Sequence, residues 1–284
     1  MNAPLLSTPR VEPFFFDATP GTRFSLYHPP SPHVEPRGAI LYVHPFADEM
    51  NKTRRMAALQ ARAFAAMGFA VLQIDLFGCG DSCGDFNAGR WEIWKGDLAL
   101  AADWLAERTS GLPLHLWGVR LGGLLALDFA GHAQADSLIL WQPFMSGRRC
   151  INEFLGLRLA SQPDASLTGG PRSTSALRAQ LAVHGAIEVA GYEVAIPLVK
   201  EIDACDVAHI KLPRCTVHWF TGGAEASTRA ELSAAKLRAR WATDGVTLHF
   251  HRVEGAVPFW SADEITVCPA LLEATSAVFA GGQA

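Results

Sequence analysis

A chain of 284 residues, 49% hydrophobic and only 18% charged, can bury a large core and is poorly suited to long disordered stretches. Its net charge of −4 contains no block of like sign, so the basic face that nucleic acid demands is missing. No apolar run approaches the ~20 residues of a membrane span, and Pro4, Pro9 and Pro13 interrupt what a leader peptide would need.

The densest cationic run, Lys52–Arg54–Arg55, heads an amphipathic helix and reads as a solvated face. Six cysteines are scattered without paired metal spacing. They read as reduced thiols, so a cytoplasmic protein without metal or cofactor is expected.

Along the chain, short β-branched or aromatic runs alternate with helical patterns, the signature of an α/β architecture. Phe14–Phe16 and Arg23–His28 read as an antiparallel pair, and Ala39–Val43 as a buried central strand. Met56, Leu59, Ala63, Phe64 and Met67 keep a helical period that Gly68 ends. Strand Phe69–Ile74, helix Trp91–Glu107, strand Leu114–Trp117, helix Gly122–Gly131 and strand Ser137–Trp141 follow. From 142 to 211 the rhythm breaks, which predicts a cap-like insertion within a single domain over 1–284. Strand Thr216–Thr221, a helix from Thr228 with Glu231 in a capping box, and strand Val246–Val253 resume it. Ser261 and Glu264 repeat the capping box and predict the start of the last helix.

The chemistry points to Trp117–Gly118–Val119–Arg120–Leu121–Gly122–Gly123. A strand, a tight turn and a buried helix with flanking glycines are the requirements of a nucleophile elbow, whose central residue faces the helix N-terminus. That central residue is Arg120, and a guanidinium has no usable lone pair with which to attack a carbonyl.

Together with His44–Pro45–Phe46 and the loop 75–82, this elbow resembles the serine-aminopeptidase-like branch of the α/β-hydrolases. The runs 44–52, 118–122 and 191–193 resemble, more narrowly, the exosortase A system-associated hydrolase of the second type. The resemblance implies the α/β-hydrolase fold, with a mostly parallel sheet and helices on both faces. It also implies a cytoplasmic setting around exosortase-dependent sorting and exopolysaccharide synthesis. It places the triad nucleophile at Arg120, the acid near Glu225 and the histidine near Val257 or Pro258, where no histidine stands. A triad missing two members loses nearly all of its function. The main-chain oxyanion hole, from Phe46 and Leu121, depends on no side chain.

Two classes of function follow. In one, the chain is non-hydrolytic and binds a small anionic or acyl-bearing molecule or a protein partner. Arg120 then either pairs with Glu225 or another inward carboxylate as a plug, or joins the amides of Leu121 and Phe46 in an anion site. In the other, a displaced nucleophile, Ser82 or Cys83 in the pattern Gly80–Asp81–Ser82–Cys83–Gly84, works with His44 or His251 on esters, thioesters or peptides. His251 is expected on the opposite sheet face from His249, and His44 to orient its loop. Trp141, Phe144, Phe154, Phe259 and Trp260 are candidates for an apolar groove or for packing under the insertion.

Overall fold

Strands of a parallel sheet covered on both faces read as unbroken apolar runs, and the fully buried run Ala39–Val43 is of that kind. The computed structural model describes residues 10–161, 171–222 and 228–280, the side chains of 228–233 excepted. It places β3 (Gly38–Val43) between β4 (Phe69–Ile74) and β5 (Leu114–Val119), parallel to both. With β1 (Glu12–Asp17), β2 (Thr22–His28), β6 (Ser137–Trp141), β9 (Thr216–Gly222) and β10 (Thr247–Val253), these strands form a sheet of order β1-β2-β4-β3-β5-β6-β9-β10. Among the described residues of this sheet, the β1–β2 and β2–β4 pairings are antiparallel and the others parallel.

Side chains alternate across β5, so Leu116 joins one core and Trp117 the other. Helices α2 (Trp91–Thr109) and α3 (Leu121–Ala133) cover the first face through Leu98, Leu105, Leu124 and Leu127. On the second face, α1 (Asp48–Ala66) and α8 (Pro269–Ala280) pack Met56, Phe64 and Leu271 against Trp117, Trp141 and Phe220. The chain between β6 and β9 carries α4 (Gly147–Ala160), α5 (Thr174–His184), the hairpin β7 (Ala186–Val189)–β8 (Tyr192–Ala195) and α6 (Ile196–Ala204). Its Leu177, Val194, Leu198 and Ile202 join the first core. Helix α7 spans Thr228–Thr243; the side chains of its expected capping box lie outside the described residues.

Two expectations are corrected. The last helix starts at Pro269, not at Ser261, whose hydroxyl donates instead to the Pro258 carbonyl (3.3 Å). Proline is a better first helical residue, because its fixed φ suits the helix and its missing N–H would have no partner there. His249 and His251 share a face, as residues two apart in a strand must. His249 stacks on His218 at 5.1 Å, and His251 Nε2 lies 3.1 Å from His218 Nδ1.

Candidate functional site

Arg120 links β5 to α3 with φ 55° and ψ −118°, a conformation that side chains larger than glycine's adopt only under constraint. Its N–H donates to the Trp141 carbonyl (2.9 Å) and its own carbonyl accepts from the Gly123 N–H (3.1 Å). The flanking glycines make the bend possible. A Cβ on Gly118 would stand 2.5 Å from the Gly122 oxygen, and one on Gly122 only 2.3 Å from the carbonyl oxygens of Val43 and His44. The start of α3 is thereby pressed against the end of β3, and Phe46 and Leu121 reach one small cavity of about 10 Å³.

The Arg120 side chain is buried and enclosed on four sides. Its Nε donates to Glu49 Oε1 (3.1 Å), from the first turn of α1, and an Nη donates to Glu153 Oε1 of α4. The Phe144 ring lies 4.1 Å from the guanidinium carbon and the Trp260 ring 4.9 Å. Cation–π contacts of this kind strengthen when water is excluded. Trp260 comes from the stretch after β10, close to where the family pattern implies an imidazole. Of the two arrangements expected for Arg120, this is the pairing with inward carboxylates and not the open anion site: Glu49 and Glu153 take the guanidinium, and rings cover it.

Burial pushes the Glu49 carboxyl up to about 7, against the opposing pull of Arg120. Glu49 Oε2 is shut from solvent with no partner among the described residues. A cavity of about 80 Å³ adjoins this network, walled by Phe46, Phe144, Phe154, Leu157 and Trp260, with Glu49, Glu153, Asp48 and Lys52 also on its lining. Cys150 lines it too, but burial holds that thiol well above its ordinary range, which leaves no thiolate for attack. Of the aromatics proposed for a groove, Phe144, Phe154 and Trp260 line the cavity. Trp141 and Phe259 pack in the core on the other face.

The family model for serine aminopeptidase, S33, matches residues 34–243, a stretch that contains the elbow and ends before β10. This chain belongs to the serine aminopeptidase S33 family. Among curated proteins, a lysophosphatidylserine lipase, ABHD12, of Xenopus tropicalis is 29% identical over 114 residues, 38% of this chain and 28% of the relative's length. Among solved structures, Est1E from Butyrivibrio proteoclasticus, with ferulic acid bound, superposes with a TM-score of 0.65 at 14% identity, covering 93% of this chain and 97% of that one. A lidless α/β serine hydrolase from Xanthomonas campestris, XC6422, gives 0.56 at 15% identity over 97% and 95%. At such identities the likeness is one of fold, and it is the α/β-hydrolase fold.

Of the other candidates of this S33-family chain, His44 adjoins the elbow through its main chain, and Ser82, Cys83 and His251 have their partners elsewhere. Ser82 is buried, donates to the Asp75 carbonyl (2.5 Å) and accepts from the Phe24 N–H (2.9 Å), which ties its loop to β2. The Cys83 thiol donates to the Pro20 carbonyl (3.3 Å). His44 donates from Nδ1 to the Pro45 carbonyl (2.7 Å) and accepts at Nε2 from the Leu76 N–H (3.2 Å). Both of its nitrogens are thus engaged with backbone, and burial lowers its pKa. Its geometry orients the loop. His251 stacks on Phe220 in the strand pair at the sheet's end, three strands from β5. At ~4.8 Å per strand that is about 14 Å away. Glu225 lies outside the described residues.

Sequence reasoning did not single out Glu49 and Glu153. Glu49 had a faint signal, since it stands in the first turn of the helix that follows the His44–Phe46 run. Glu153 had none, because nothing local marks its face of α4 as the one turned to the elbow.

Proposed function

We propose that this chain is a non-hydrolytic member of its family that binds a small molecule with an apolar body, and that Arg120 plugs the position of attack. One observation supports this above the rest. The residue at the elbow is a permanent cation, already neutralised by Glu49 and Glu153 and covered by Phe144 and Trp260. Neither Ser82 nor Cys83 has an imidazole bonded to it among the described residues. The lipase relative acts, by its name, on a lysophospholipid; here the apolar cavity supports an acyl- or aryl-bearing ligand that is held without being cleaved. The runs 44–52 and 118–122 support a place in exosortase-associated exopolysaccharide machinery, which co-purification from a host carrying that system checks.

Fluorophosphonate and iodoacetamide labelling, read by intact mass, tests the central claim. No serine or cysteine is expected to react stoichiometrically, and Arg120→Ser is expected to gain no esterase turnover. Full labelling of one residue, abolished by its substitution, would end the reading.

A further inference from the structure

The side chains around the Arg120 guanidinium are aromatic rings and carboxylates, groups that favour positive charge, whereas an acyl-transfer site is built to stabilise negative charge. Phe144 and Trp260, which flank the Arg120 guanidinium, also wall the neighbouring 80 Å³ cavity, together with Phe46 and Phe154. Ring faces attract cations and disfavour anions. The carboxylates point the same way. Glu153 gives one oxygen to Arg120; its other oxygen has no partner among the described residues, and the side chain is 46% exposed on the cavity lining. Asp48 and Lys52 neutralise one another at 2.7 Å. Among the described residues this leaves Glu49 and Glu153 against Arg120, an excess of negative charge when both acids are ionised. By volume, at roughly 10–15 Å³ per water, the cavity has room for about six waters.

We propose that this cavity is an organic-cation site, taking a ligand with a small aryl or alkyl body among Phe46, Phe144, Phe154 and Trp260 and an ammonium head against Glu153. The proposal rests on the reading of the cavity as a binding site and adds the ligand's charge class. The protein's own guanidinium occupies one side of the aromatic enclosure, and the ligand's ammonium occupies the other.

Calorimetric titration of the full chain with benzylamine, benzyl alcohol and benzoate tests it. These three share a ring and differ in head-group charge. Benzylamine is expected to bind at least about tenfold tighter than benzoate, the size of one charge-assisted or cation–π contact. Glu153→Gln is expected to weaken benzylamine by about tenfold and leave benzyl alcohol unchanged. Leu157→Trp, at an exposed position on the cavity wall away from the ion pairs, is expected to abolish binding of all three while the fold is kept. Benzoate binding as tightly as benzylamine, benzylamine failing to bind at millimolar concentration, or benzylamine binding undiminished in Leu157→Trp would overturn the proposal. Covalent labelling of a serine or cysteine would sink the non-hydrolytic reading and leave the amine preference standing, so the two failures are distinguishable.

Discussion

The Arg120 guanidinium and the Glu49 carboxyl depend on one another, because removing one member of a buried pair strands the charge of the other, whereas half-exposed Glu153 still reaches water. Arg120→Ser is therefore expected to lower stability by about 3 kcal/mol in urea unfolding. Adding Glu49→Gln should recover part of the loss, since an amide keeps the shape and removes the stranded charge. Glu49 also links stability to pH. Its native pKa of about 7 lies above the ordinary 4.5, so between these values the native state holds a proton that the unfolded chain has released. Its contribution is full below 4.5 and diminishes as pH rises toward 7. Burial holds His218 down at about 4, below its ordinary 6.5, and works in the opposite sense, adding stability as pH rises through that window. The difference between wild type and Glu49→Gln cancels the histidines. Wild type is expected to lose stability relative to the variant from about pH 5 to 7.5, and parallel curves would show that Glu49 titrates normally.

Between elements, the site is held by how closely α3 approaches β3. Gly122 lets the helix start against the Val43 and His44 carbonyls, and the same contact brings the Phe46 loop to the elbow. Gly122→Ala must push these elements apart and is expected to cost about 1–3 kcal/mol of stability, read as a lowered thermal midpoint. Gly156→Ala is the control. It lies within α4 with open space where its Cβ would stand, so it should be neutral or stabilise by up to about 1 kcal/mol. Equal losses in the two variants would mean that helix entropy, and not the approach of α3 to β3, governs. A second link between elements is the buried Arg23–Asp97 pair (2.7 Å), which joins β2 to α2. Asp97 also accepts from the Phe77 N–H (2.8 Å) and so positions the loop after β4.

Across the molecule, the segment between β6 and β9 shares its core with the sheet. Leu177, Leu181, Val194, Leu198 and Ile202 belong to the same buried cluster as Leu116, Leu124 and Leu140. It also supplies Glu153 and Phe154 to the site. Elements that share apolar burial unfold together, so near- and far-ultraviolet circular dichroism are expected to follow one coincident transition in urea. An earlier separate loss of the near-ultraviolet signal, with helix and sheet retained, would show that the segment melts alone.

Much of this was legible along the chain. Periods of two and near 3.6 residues, together with glycines at bends, are local properties, and they located β3, β4, β6, the elbow and Arg120 at its apex. The partners of Arg120 were not legible, because Glu49 and Glu153 stand 71 and 33 residues away and meet it through packing of separate elements. Nor did any local pattern show that Trp260 would cover the cation, or that the last helix would wait for Pro269. Patterning over a few neighbours sets which backbone forms and which side turns inward. Whether a buried charge meets an opposite charge, a ring or open space depends on contacts between distant segments, and those exist only once the layers have closed.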